Sequence, residues 1–89
     1  MRNISDYIFS YSKKPSDRDP KTGQEYLVLT DIGELRKGAL VKCVGFADID
    51  NHYGIQVFTG ANDEILEVAG DYSGGSLLEK LKSALTRTE

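Results

Sequence analysis

Residues Leu35 to Val68 read L-R-K-G-A-L-V-K-C-V-G-F, then A-D-I-D-N-H-Y-G, then I-Q-V-F-T-G-A-N-D-E-I-L-E-V. Three short apolar, β-branched runs alternate with two polar turns that contain glycine or asparagine. That pattern predicts a three-stranded antiparallel meander. Each run is too short for a stable isolated helix, and the turns between them fall where hairpins need residues tolerant of positive φ. The remainder of the chain is read as additions to this unit.

The third run predicts a strand over 64–69, with Leu66 and Val68 on one face and Glu67 on the other. The second predicts a strand over 53–59, with Ile55 and Val57 inward and Gln56 outward. The first, over 39–46, is the strongest. It places Val41 and Cys43 on one face and Leu40, Val44 and Phe46 on the other, with Gly45 as a bulge or sharp bend. G-A-N-D at 60–63 reads as a hairpin turn.

Upstream, Glu25–Thr30 has strand composition, and Asp31–Gly38 is a glycine-containing excursion that returns the chain into the meander. Lys13–Gly23 is polar and carries Pro15 and Pro20, so residues 13–24 are expected to form a long exposed loop. Ile4–Tyr11 alternates, which fits a strand presenting Tyr7, Phe9 and Tyr11 on one face and Ile4 and Ile8 on the other. A helical turn from Ser5 is the alternative.

Downstream, S-L-L-E at 76–79 has the form of a capping box. Leu77, Leu78, Leu81, Ala84 and Leu85 then form one apolar stripe, predicting a helix over 76–87 that docks on the sheet. Lys82 and Arg87 suit its C-terminal end.

The expected fold is therefore mainly β, of α+β type. It is a small bent antiparallel sheet or barrel of about five strands with one C-terminal helix, in a single domain of residues 1–89 with its β core at 25–69. Eighty-nine residues suffice for one core and no more.

The run G-E-L-R-K-G-A-L-V-K-C-V, followed by a turn, Y-G-I-Q-V-F, a tight turn and E-I-L-E-V, resembles the SH3-like small barrels over roughly residues 25–70. Leu35, Gly38 and Val41 take the positions of the L-x-x-G-x-x-V ending that leads into the meander of that family. The chain departs from the peptide-binding SH3 domains in lacking their aromatic opening motif, tandem Trp and Pro-x-x-Tyr ending. Recognition of Pro-rich peptides is therefore not implied.

Composition narrows the function classes. One cysteine excludes an internal disulfide and a cysteine-based zinc cluster, and a lone thiol suits the reducing cytoplasm. The N-terminus lacks the apolar stretch of a signal peptide, and no run is long enough to span a membrane. Net charge is −3, unevenly divided: residues 1–45 carry eight Lys/Arg and six Asp/Glu, whereas residues 46–89 carry three and eight. The overall balance weighs against nucleic-acid binding.

Each short polar or reactive motif has a plainer reading. Asp48, Asp50, Asn51 and His52 cluster, but a calcium loop counted from Asp48 would need glycine at Tyr53 and glutamate at Thr59. Good turn chemistry explains the cluster. Cys43 sits mid-strand as a small hydrophobe, and neither an oxyanion hole nor an orienting third residue accompanies it and His52. Gly70–Gly75 precedes a helix but lacks the lysine of a phosphate loop, and Asp71 would repel phosphate. No cofactor, metal or catalytic residue is assigned. An enzyme would require an active site shared in an oligomer.

Two surfaces remain. Asp48, Asp50, Asp63, Glu64, Glu67 and Asp71, with Tyr53 and Tyr72, form the expected acidic, aromatic surface of a non-enzymatic protein-binding module. Such a module would be a small inhibitor or antagonist, of immunity or phage type, or a regulatory accessory. The alternative is a small-barrel nucleic-acid binder that uses the basic loop residues Lys13, Lys14, Arg18 and Lys21.

Overall fold

The structure is a computed structural model that describes residues 3–9, 23–48, 53–71 and 76–88. Five strands and one helix follow one another: β1 (Glu25–Val28), β2 (Leu40–Asp48), β3 (Tyr53–Thr59), β4 (Ile65–Asp71), α1 (Ser76–Ala84) and β5 (Leu85–Arg87). The strands make one antiparallel sheet in the order β4-β3-β2-β1-β5. The fold is thus mostly β with one short C-terminal helix. Among the described residues the sheet is open, with β4 and β5 at its margins.

The meander β2-β3-β4 forms as its sequence requires. Gly60–Asp63 makes the β3–β4 turn, in which Asn62 and Asp63 adopt φ of 62° and 58°. These are residue types that enter the left-handed region at low cost. The turn closes through the Gly60 N–H donating to the Glu64 carbonyl at 2.9 Å.

One face of the sheet is covered by α1 and by the β1–β2 excursion. Tyr26, Val28, Val41, Cys43, Phe58, Val68, Leu77, Leu81 and Leu85 form a buried cluster there, and Leu35 from the excursion completes it. Each large aliphatic or aromatic side chain sunk in this cluster contributes roughly 1.5–3 kcal/mol through removal of its surface from water.

The register breaks between Cys43 and Gly45. This bulge lies where Gly45 predicts it, and it changes the side-chain parity of β2. Phe46 therefore packs on the same core as Val41 and Cys43, not on the face opposite to them. Gln56 is likewise corrected from outward to inward. It shares its face with Phe58, which alternation two residues along β3 dictates, and it is 4% exposed.

The C-terminus also differs. The helix ends at Ala84, and residues 85–87 pair with β1. The Ala84 carbonyl accepts the Leu29 N–H at 2.6 Å, and Val28 lies across from Leu85. Leu85 reaches the core from either conformation, so the apolar stripe alone does not distinguish them. The capping-box contact of Ser76 and the side chain of Leu78 lie outside what is described.

The N-terminal segment is a 3₁₀ turn at Ile4–Asp6 followed by one bridge, Phe9 to Ala47. The expected strand over 4–11 is not present in its described part, 4–9. The Asp6 carboxylate accepts the Asn3 N–H at 2.9 Å and holds the turn instead. Tyr7 and Phe9 do share a side, with ring centroids 5.9 Å apart. Phe9 lies against Gly45, where a Cβ would come within 2.8 Å of its ring. Ile8, by contrast, is 89% exposed. Tyr11 and the loop 13–22 lie outside the described residues. No helix among those residues is long and apolar enough to cross a membrane.

Candidate functional site

Cys43 is buried on the core face of β2, and its thiol accepts a hydrogen bond from the Gln56 side-chain amide at 3.0 Å. The same amide donates to the Gly45 carbonyl at 3.1 Å, so Gln56 ties the thiol to the bulge. Burial raises the Cys43 pKa from 9.0 to about 11, and the hydrogen bonds with Gln56 and the Gly45 backbone offset only part of that rise. A thiol so protonated is a poor nucleophile. His52 lies outside the described residues. Among those residues, no three His, Cys, Asp or Glu side chains stand close enough to hold a metal.

The acidic residues divide between the two ends of the meander. Tyr53 pairs with Asp71, and Thr59 pairs with Ile65, so the β3–β4 hairpin is six residue steps long, about 20 Å. Asp63 and Glu64 are exposed at its turn end. Asp71 is exposed at the other end, where the backbone of Asp48 also lies, paired with Gly54. Successive hairpin turns in a meander point in opposite directions, which is why these charges form two groups. Asp50 and Tyr72 lie outside the described residues, as do Lys13, Lys14, Arg18 and Lys21.

Tyr53 is 40% exposed and stands directly across from Asp71 on the sheet face opposite α1. Two of the residues singled out from the sequence are therefore neighbours in space. Glu67 shares that face four residues along and is half-buried.

Glu67 has a structural role that sequence reasoning missed. The Tyr7 hydroxyl donates to its Oε2, fastening the N-terminal segment across the sheet. Its backbone is held by Glu34: the Glu34 N–H donates to the Glu67 carbonyl at 3.1 Å, and the Glu67 N–H donates to Glu34 Oε1 at 2.9 Å. The two partners are 33 residues apart, and no short-range pattern announces their contact.

Glu67 thus directs both main-chain groups away from β3. By strand alternation Ala69 does the same two residues later. Among the described residues no partner outside the sheet ladder bonds the Ala69 main chain, and Ala69 is exposed. Beside this edge lies a shallow cleft of about 140 Å³, lined by Ile32, Gly33, Val68, Gly70, Leu77 and Lys80 among others.

Comparison of the chain with protein-family models, with curated proteins and with solved structures gives no match.

Proposed function

We propose that the protein is a non-enzymatic protein-binding module whose working surface is the Tyr53–Asp71 end of the sheet. The observation that carries this reading is the direct pairing of an exposed tyrosine with an exposed aspartate on the face opposite the helix. An amphipathic ring beside a carboxylate suits a partner that presents lysine or arginine. The acidic second half of the chain favours encounter with such a partner. The consignment of the single thiol to the core also fits a protein that works by contact.

Within that class, a small inhibitor, antagonist or regulatory accessory suits a chain of this size. The lone buried cysteine is in keeping with the cytoplasm. We also read the architecture as SH3-like. In support, Leu35 is fully buried, Gly38 has a φ of 90° that favours glycine, and Val41 lies in the core. All three positions of the L-x-x-G-x-x-V pattern thereby have a physical task.

The test is affinity capture from the native host with the wild-type chain and with Tyr53→Ala/Asp71→Lys, each verified as folded by circular dichroism. A specific partner retained by the wild type and lost by the variant is the expected result. Equal capture by both would remove this surface from consideration.

A further inference from the structure

We propose that the N-terminal segment Asn3–Phe9 is a detachable strap, and that the place it fills at rest is a recognition groove for a partner's extended segment of aromatic–x–aromatic pattern. Such a groove is separate from the Tyr53–Asp71 end and stands without it.

The groove is built from the meander. β1 pairs with β2 at Leu40, Val41 and Lys42. Beyond the bulge, β2 carries β3 on one side and the backbone of Phe9, bridged to Ala47, on the other. Gly45, Val57 and Glu67 stand across from one another in register, one from each strand of the meander, on the face opposite α1. The row is thus a position without a side chain, an aliphatic floor and a carboxylate wall. The Phe9 ring occupies the space at Gly45, where a Cβ would come within 2.8 Å of it. Tyr7 stacks on Phe9, and its hydroxyl donates to the Glu67 carboxylate. Val57, between these two anchor points, is fully buried. Side chains two residues apart on an extended chain share a side, so the row selects two rings in that spacing, one of them with a hydroxyl.

The segment itself is loosely built in. None of its residues is buried, its 3₁₀ turn closes on itself through Asn3 and Asp6, and Ile8 stands out in solvent. The main buried cluster lies on the other face, and the five-stranded ladder is complete without the segment. A peripheral segment of this kind opens at lower cost than the sheet that carries it. Its opening bares Ala47 and Val57 in a trough already shaped for two rings, and aromatic anchors in pockets supply much of the energy of recognition. An incoming tyrosine makes the bond to Glu67 that Tyr7 makes at rest, so no other partner of Glu67 has to leave.

The test uses the full-length ¹⁵N-labelled chain as wild type, as Tyr7→Phe and as Tyr7→Phe/Phe9→Ala. Each is titrated with acetyl-Ser-Asp-Tyr-Ile-Phe-amide, the strap's own sequence supplied in trans. The double variant is expected to keep slow amide exchange in the sheet. It should show saturable shifts at Gly45, Ala47, Val57 and Glu67, with binding about tenfold or more tighter than to the wild type, where the resident strap competes. Tyr7→Phe, which loses only the hydroxyl, should fall between the two. A folded double variant without saturable shifts at these residues would overturn the proposal, as would equal affinity in all three proteins. Should the double variant lose slow exchange throughout the sheet, Tyr7→Phe decides: tighter binding than wild type sustains the strap, and equal binding overturns it. A dimeric wild type that becomes monomeric in the double variant would give the groove to a second copy and overturn its assignment to a separate partner.

Discussion

The carboxylate of Glu34 receives the outward N–H of Glu67 where a neighbouring strand would otherwise supply a carbonyl. The Glu34 N–H returns a bond to the Glu67 carbonyl. One side chain thus completes a two-bond bridge onto the margin of the sheet. The excursion that carries Glu34 also buries Leu35, and it is tightened by reciprocal bonds between Ile32 and Leu35 at 3.0 and 2.8 Å. The link between β1 and β2 thereby reaches over to β4.

Replacing Glu34 should uncover that margin. Glu34→Ala is expected to lower stability by about 1–2 kcal/mol, the cost of leaving a part-buried main-chain donor without its partner. Glu34→Gln keeps an acceptor oxygen and should recover most of the loss. Urea denaturation of the two variants beside the wild type measures the difference. An alanine variant as stable as the glutamine variant would contradict the role assigned to the carboxylate.

Gly33 is predicted to be the least replaceable glycine of the excursion. Its φ is +55°, and an added Cβ would meet the Glu67 carbonyl oxygen at 2.9 Å and the Val68 Cα at 3.0 Å, both main-chain atoms. Gly38 has φ +90° but open space around it. Gly38→Ala should cost about 1–2 kcal/mol for the conformation alone. Gly33→Ala should cost more, because the docking onto β4 must also shift. The ordering of the two midpoints in urea is the check.

Gln56 holds the bulge from within. Gln56→Ala removes the donor to the Gly45 carbonyl and to the Cys43 thiol and leaves a void beside Phe58. A loss of about 2–4 kcal/mol is expected from the two effects together. Slow exchange of the β2 and β3 amides in the wild type should become markedly faster in the variant.

Cys43 gives the fold an alkaline limit. The folded thiol holds its proton up to about pH 11, whereas the unfolded thiol releases it near its ordinary 9.0. Between these values the folded state binds more protons than the unfolded state, so stability falls as pH rises. The contribution is complete below pH 9 and is lost through the interval up to 11, by about 2–3 kcal/mol. The difference in unfolding free energy between wild type and Cys43→Ala, followed from pH 8 to 10.5, should shrink in that direction. A thiol reagent at pH 8 should modify Cys43 only once urea has unfolded the chain.

The meander, its Asn-Asp turn and the Gly45 bulge were legible in the sequence because each rests on local chemistry: alternation, left-handed tolerance, the missing Cβ. The face of Phe46 was not, since a bulge inverts parity and its exact position decides every residue after it. Gln56 misled by its polarity. A polar side chain reads as outward until the Cys43 and Gly45 acceptors that satisfy it are known. Leu85 fits a helix stripe and a strand equally, and only the Ala84–Leu29 and Leu85–Val28 pairings separate the two. For the candidate surface, residue types were readable and grouping was not. Tyr53 and Asp71 come together through register, and Asp63 and Glu64 are carried to the far end by the same register.

The central claim is that the protein acts by presenting the Tyr53–Asp71 end of its sheet to a partner. Hydrogen–deuterium exchange of the captured complex against the free protein tests it most directly. New protection confined to the ends of β3 and β4 around Tyr53 and Ala69–Asp71, with the basic residues Lys13 to Lys21 unchanged, is the predicted result. Protection centred on Lys13–Lys21, with the Tyr53–Asp71 end left as it was, would contradict the account.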